Sequence, residues 1–411
     1  MKVRIEKSIA KGEIFAPPSK SMAHRYIICA ALTDGESVIS NVDFSEDIKA
    51  TIDCIETLGA KVRIDGSTVF IDGRTGILNQ KEYASDEKLV FNCRESGSTM
   101  RFFMGIAMTL PVISEFYGSE TLRNRPFGIY ENILNKNEND GSVYFKRATD
   151  KLIVKGRVEE NNFEVEGNIS SQFITGLLLA LSVKGEGGEI RLIPPTESRS
   201  YINMTIRAMN EFGIKVGWKD ENTLFVDRGS NYLNRNIEVE GDYSNAAFLD
   251  AFNLIGGEVT VRGLSEESLQ GDKIYKDYFE KLLLEKATLD IADCPDLGPV
   301  LFAVAAANNG GVFTSTARLK IKESDRGKVM CEELSKFNIK TLQKENSIEI
   351  GCGPDAPTEE INGHNDHRIV MSLALLLSRT GGVINEAEAV RKSYPGFFDD
   401  LKTLGIKLEY E

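Results

Sequence analysis

The chain has 411 residues, more than one hydrophobic core normally serves, so two domains of about two hundred residues each are expected. Its 41% hydrophobic and 27% charged residues are a globular composition, and 62 acidic against 49 basic residues leave a net charge of −13, which disfavours nucleic acid or an anionic membrane as a partner. An anionic ligand would therefore have to be held by a local cluster of cations and not by the overall field.

The opening residues Met1-Lys2-Val3-Arg4-Ile5-Glu6 lack the apolar core of a signal peptide, and no apolar run reaches the roughly 18 residues that span a bilayer, so a cytoplasmic protein is expected. Next comes Pro17-Pro18-Ser19-Lys20-Ser21-Met22-Ala23-His24-Arg25, running into the apolar stretch Tyr26 to Leu32. Proline cannot sit inside a helix, so a helix must begin near Ser19 or Ser21. Its first-turn N–H groups, two hydroxyls, an ammonium and a guanidinium would then converge as an anion site. A Ser-capped helix with solvated basic residues is the plainer alternative.

Repetition shifts that balance. Small or polar residues also precede an apolar helix-length run at Glu95-Ser96-Gly97-Ser98-Thr99 before Met100–Leu110, and at Ser170-Ser171-Gln172 before Phe173–Val183. The same arrangement recurs at Asp242-Tyr243-Ser244-Asn245 before Ala246–Ile255, at Pro295-Asp296-Leu297-Gly298 before Pro299–Ala307, and at Asn365-Asp366-His367-Arg368 before Ile369–Leu377. With the first stretch that makes six copies, spaced about seventy residues apart. Between them lie amphipathic helices that end in Gly or a polar break before a strand, at Ile52–Leu58, Ile206–Phe212 and Phe397–Leu404, and more weakly at Tyr275–Glu285 and Val329–Phe337. Helices apolar nearly all round must be buried, so six units divide into two similar α/β domains with three buried helices each. If both sets of helix starts face one cleft, their polar residues form one ligand set.

The cations at these starts and the adjoining loops are Lys20, Arg25, Arg101, Arg125, Lys322, Arg326, Arg368 and Lys392, which suits a ligand with several negative charges. Asp296 and Glu323 sit among them, where acids make sense as proton carriers. Taken singly, Asp296 also fits a helix cap ahead of Pro299, and Glu323 a surface ion pair with Lys322 or Arg326. Three histidines (His24, His364, His367) do not suggest a metal site, and six scattered cysteines suggest reduced core thiols. Gly351-Cys352-Gly353 is no dinucleotide fingerprint, because Pro354 and Pro357 forbid the helix that should follow.

Ser19-Lys20-Ser21 with Arg25, Glu95 to Arg101, Arg125-Pro126, Ser170-Ser171-Gln172, Lys322-Glu323-Ser324-Asp325-Arg326 and Asn365-Asp366-His367-Arg368 together resemble the 5-enolpyruvylshikimate-3-phosphate synthase (3-phosphoshikimate 1-carboxyvinyltransferase) family over essentially the whole chain. The resemblance implies two domains, each of three βαβαββ units with pseudo-threefold symmetry, and an active site in the interdomain cleft. One domain would be residues 19–236, inserted into a discontinuous domain of residues 1–18 and 237–411. It further implies transfer of the enolpyruvyl group of phosphoenolpyruvate to the 5-hydroxyl of shikimate 3-phosphate, releasing phosphate through a tetrahedral intermediate, with no cofactor and a monomeric state expected.

By the same resemblance, Ser21, Arg25, Ser170, Ser171, Gln172, Ser198, Tyr201, Asp296 and Lys322 bind shikimate 3-phosphate. Lys20, Gly97, Arg125, Gln172, Arg326, Arg368 and Lys392 bind phosphoenolpyruvate, and Asp296, Glu323 and Lys20 carry the catalysis. Glyphosate is expected to compete with phosphoenolpyruvate beside Gly97. At Arg318 some members carry an Asn that touches the shikimate phosphate; Arg318 either adds a phosphate contact or faces solvent, and is left out of the site. Two other readings stay open. A UDP-N-acetylglucosamine enolpyruvyl transferase typically offers Lys-Asn after its first strand and a loop Cys; Lys20-Ser21 stands here instead, and the loop Thr121 to Pro126 has no Cys. A non-catalytic binder of phosphorylated metabolites would have no use for Asp296 and Glu323.

Overall fold

Short polar side chains set where the buried helices begin. Ser19 accepts the Met22 N–H and starts the helix Lys20–Ala31, Ser96 accepts from Thr99 and starts Gly97–Ala107, and Ser170 accepts from Gln172 and starts Ser171–Lys184. Asp242 and Asp366 do the same for Tyr243–Asp250 and His367–Thr380. Each cap satisfies one of the first-turn donors that a helix leaves unpaired. The sixth helix, Gly298–Ala307, follows a single 3-10 turn, Pro295–Leu297, and every one of its residues is buried. A helix without a polar face has no stable place except an interior.

The structure, a computed structural model, describes residues 1–73, 88–136 and 143–411. The chain divides into two compact units, one of Met1–Pro17 with Glu240–Glu411 and one of Pro18–Val239. Each has its own apolar core.

The inserted unit holds three four-stranded sheets of one pattern. In the first, Asn236–Glu238 runs parallel to Glu36–Ser40, which pairs antiparallel with Thr68–Asp72, which pairs antiparallel with Lys61–Asp65. The second orders Lys88–Asn92, Ile113–Tyr117, Lys151–Lys155 and Tyr144–Arg147 in the same senses. The third does so with Asn162–Glu166, Gly188–Ile193, Thr223–Val226 and Val216–Trp218. A buried helix makes the parallel crossover in the second and third sheets. In the first, the parallel strand comes from the far end of the unit, and the Val239 N–H bonds the Ser40 carbonyl. Residues 236–239 thus stay with the inserted unit, three residues beyond the boundary expected at 236.

The discontinuous unit repeats the pattern with Ala287–Asp290, Gly311–Thr314, Ser347–Ile350 and Thr341–Gln343. It repeats again with Ile361–Asn362, Gly382–Asn385, Val3–Ile5 and Leu408–Tyr410, where the N-terminal strand supplies the third position. Its remaining sheet has only two parallel strands, Glu258–Arg262 and Lys11–Phe15. The helical run expected as far as Ile255 stops at Asp250 and tightens into the 3-10 turn Ala251–Ile255. There the Asn253 amide pairs with both the N–H and the carbonyl of Val259, a bond pattern that ties the turn to the strand instead of continuing the helix. No helix among the described residues is long and apolar enough to cross a membrane.

Candidate active site

In the inserted unit, the starts of Lys20–Ala31, Gly97–Ala107 and Ser171–Lys184 carry the expected polar residues. Lys20 Nζ pairs with Asp47 Oδ2 at 2.7 Å, both side chains being largely buried. Arg25, almost fully buried, donates to Thr205 Oγ1 at 2.8 Å, to the Ser21 carbonyl at 2.6 Å and to the Tyr201 carbonyl at 3.1 Å. Those bonds lock Arg25, Ser21 and Tyr201 into one group. Burial pushes the Arg25 guanidinium down to about 10, so it stays charged at neutral pH. Ser198 precedes the helix Arg199–Glu211 in the left-handed conformation, and its carbonyl accepts the Tyr201 N–H.

Gly97 opens its helix under two guanidinium groups. A methyl added there would lie 2.7 Å from Arg125 Nη1 and 3.5 Å from Arg101 Nη1. Arg125 is only 9% exposed, and its Nε has no hydrogen-bond partner among the described residues, a state that normally signals a ligand or ordered water. Gln172 accepts from Arg101 Nη1 and donates to Ser98 Oγ at 2.8 Å, which fixes its amide orientation. Beneath these groups His24 Nδ1, Thr51, Thr99 and Ser96 form a buried hydroxyl chain with links of 2.6 to 2.7 Å. Burial first, then Lys20 and Arg25, hold His24 well below its ordinary value and hence neutral.

In the discontinuous unit, one carboxylate gathers three cations. Asp296 Oδ1 lies 3.0 Å from Lys322 Nζ and 2.8 Å from Arg326 Nη1, and Oδ2 lies 3.4 Å from Arg368 Nη2. The Asp296 carbonyl also accepts from Arg368 Nη1 at 3.0 Å. Asp296 therefore does not cap the next helix. Burial works to raise its carboxyl, but Arg368, Lys322 and Arg326 together hold it well below the usual range, so it is ionised. Arg326, 1% exposed, also takes Glu323 and Asp366. Burial alone would lower its value; the carboxylates of Asp366, Glu323 and Asp296 raise it. Glu323 is thus in an ion pair, as the plainer reading had it, but with a guanidinium sealed from water. Lys322 is lowered, chiefly by burial, against the pull of Asp296 and with Arg326 and Arg318 adding to the fall. Lys392 Nζ reaches the Asn365 carbonyl at 2.5 Å.

The sequence of the EPSP synthase family, described as 3-phosphoshikimate 1-carboxyvinyltransferase, matches residues 5–401. The chain belongs to the EPSP synthase family. A curated 3-phosphoshikimate 1-carboxyvinyltransferase of Clostridium perfringens is 37% identical over 430 residues, covering 100% of both chains. One of Clostridioides difficile is 35% identical, covering 99% of this chain and 98% of its own. Among solved structures, EPSP synthase of Acinetobacter baumannii shares the fold at a TM-score of 0.77 with 23% identity, covering 99% of each chain. The enolpyruvyl transferase NikO from Streptomyces tendae shares it at 0.76 with 9% identity, covering 100% of this chain and 98% of its own.

Several residues beside the expected EPSP synthase set went unnoticed in the sequence. Asp47 pairs with Lys20, Asp366 pairs with Arg326, and Ser244 Oγ accepts from Arg368 Nη1 at 2.6 Å. Asp272 is buried close to Asp296 and Arg368, and burial, then Asp296, push its carboxyl up to about 6. Asp366 and Ser244 stood inside the helix-start motifs, which was signal enough to include them. Asp47 and Asp272 lie outside all six motifs and gave none. Arg318 donates to the Ala292 carbonyl and stands close enough to Lys322 to disfavour its charge.

Proposed function

We propose that this chain transfers the enolpyruvyl (carboxyvinyl) group of phosphoenolpyruvate to the 5-hydroxyl of shikimate 3-phosphate, releasing phosphate, a reading supported by relatives named 3-phosphoshikimate 1-carboxyvinyltransferase. It works without a cofactor, as a cytoplasmic monomer, in aromatic amino acid biosynthesis. The observation that carries this reading is Asp296, an ionised carboxylate held under Lys322, Arg326 and Arg368. A protein that merely bound phosphorylated metabolites would gain from those cations and lose by the acid among them.

In this reading Lys20, Arg125, Arg326, Arg368 and Lys392 hold the carboxylate and phosphate of phosphoenolpyruvate, with Gly97 allowing close approach of the backbone. Ser21, Arg25, Ser170, Ser171, Ser198, Tyr201 and Lys322 hold shikimate 3-phosphate, and Gln172 contacts both. Asp296 takes the 5-hydroxyl proton as that oxygen bonds to C2 of phosphoenolpyruvate; Glu323, protonated once anionic substrate draws Arg326 away from it, gives its proton to the C3 methylene. The tetrahedral intermediate then loses phosphate, its charge neutralised by Lys20 and its proton supplied by Asp296, while Glu323 takes back a C3 proton as the double bond is restored. A carboxylate held at low pKa is a weak base. Anionic substrate drawing on Lys322, Arg326 and Arg368 loosens that hold and makes Asp296 more basic when both reactants are present.

Incubation with shikimate 3-phosphate and phosphoenolpyruvate tests this by phosphate release. Release that requires both compounds, and does not occur with UDP-N-acetylglucosamine in place of shikimate 3-phosphate, is the expected result. No release, or release with the sugar nucleotide alone, overturns the reading.

A further inference from the structure

The helix Arg326–Lys336 presents two buried charged side chains seven residues apart, which is about two turns and so on one face. Arg326 takes Asp366 from the loop that precedes the helix His367–Thr380. Glu333, 2% exposed, takes the opposite end of the same loop. Its Oε2 accepts the Asn362 N–H at 2.9 Å, its Oε1 lies 2.8 Å from His364 Nε2, and Lys336 of its own helix lies at 2.9 Å. Burial works against the charge on Glu333, but His364, the Asn362 N–H and Lys336 keep its carboxyl below the usual value. None of these partners is a proposed substrate ligand, so the chemistry proposed above gives this buried carboxylate no task.

The clamped loop is strained. His364 and Asn365 both have φ of 50°, two consecutive side-chain-bearing residues in the left-handed region. Such a conformation persists only where the surroundings over-determine it. Here the restraints are Glu333 on Asn362 and His364, Glu386 on the Asn365 N–H at 2.6 Å, and Arg326 on Asp366. The loop in turn carries groups of consequence. The Asn365 carbonyl receives Lys392 Nζ, Asp366 receives Arg326, and the Asp366 side chain caps the turn that bears Arg368.

We propose that Glu333 is a positioning residue: by holding the loop of residues 362–366 with His364 and Asn365 left-handed, it sets Lys392, Arg326 and Arg368 for phosphoenolpyruvate. This rests on the substrate assignment above for the identity of the ligand, whereas the hold on the loop does not.

The test uses full-length protein, Glu333→Gln, and Glu333→Gln combined with His364→Gly. Without any ligand, amide hydrogen exchange in peptides covering residues 361–368 should quicken by roughly tenfold or more in Glu333→Gln, the loop opening locally. In turnover, KM for phosphoenolpyruvate should rise about 5- to 20-fold while KM for shikimate 3-phosphate stays within about 2-fold. Glycine adopts positive φ without penalty, so the double variant should recover most of the KM loss. A purely structural role would lower the melting temperature and the active fraction and leave both KM values alone. Unchanged exchange in Glu333→Gln, equal rises in both KM values, or a double variant no better than the single one overturns the proposal. If wild-type protein releases no phosphate, the substrate reading fails, and the exchange comparison still decides whether Glu333 holds the loop.

Discussion

Replacing Asp296 with Asn keeps the shape of the side chain and removes its charge. At about 3 Å and an effective dielectric near 20, each contact with Lys322, Arg326 or Arg368 is worth roughly 5 kcal/mol before desolvation. Most of that is cancelled by the cost of burial, and breaking a buried pair costs about 3–5 kcal/mol net. The Asn oxygen still accepts a hydrogen bond, and Arg326 keeps Glu323 and Asp366, so a loss near ~3 kcal/mol and a fall of roughly 5–10 °C in melting temperature are expected. The catalytic effect has a different signature. Loss of the base should lower kcat by about 10²- to 10⁴-fold, or ~3–5 kcal/mol of barrier. Meanwhile Arg326 and Arg368, freed of one carboxylate, should bind phosphoenolpyruvate at least as tightly as before. Steady-state kinetics with phosphoenolpyruvate varied at saturating shikimate 3-phosphate gives both numbers, and thermal melts with and without phosphoenolpyruvate should show a larger ligand-induced gain in the variant. A kcat within tenfold of wild type would refute the base assignment; a matching rise in KM for phosphoenolpyruvate would make Asp296 a substrate anchor instead.

Gly97→Ala places a methyl 2.7 Å from Arg125 Nη1, so the guanidinium must shift. We expect a crowding penalty of about 1–3 kcal/mol, with Ki for glyphosate raised by a larger factor than KM for phosphoenolpyruvate; equal factors would mean that displacement of Arg125 explains everything. Gly105→Ala should destabilise by about 3 kcal/mol or more in thermal melts, because its methyl would meet the Gly176 carbonyl oxygen at 2.3 Å, a backbone atom that cannot step aside; a melting temperature within a degree or two of wild type contradicts that close crossing. Asp272 gives a pH dependence of definite sign. Its folded value of about 6 exceeds that of an unfolded Asp near 3.9, so its penalty is absent below about pH 4, grows as pH rises through 6, and is fully present above. Asp272→Asn should therefore stabilise by roughly 1–3 kcal/mol at pH 8 and by almost nothing at pH 4, and an equal change at both would show that burial of charge is not the cause.

What the sequence determined by itself was local. Runs such as Gly298–Ala307 have no polar face, which dictates burial wherever they fold, and a Ser or Asp ahead of such a run dictates a capped start. Six such starts with their cations, together with the motifs spread along the chain, were enough to indicate the family. Tertiary structure decided which charges meet. Lys20 finds Asp47 across 27 residues, Arg326 finds Asp366 across 40, and Asp296 finds Arg368 across 72. It also brought Val3–Ile5 between strands from the other end of the chain, and cut one sheet to two strands. Asp47, Asp272 and Glu333 show why these could not be foreseen. A cap or an apolar stripe is written in a period of two to four residues, whereas a buried carboxylate acquires its partner, its charge state and its role only when distant segments pack around it and exclude the water that would otherwise solvate it.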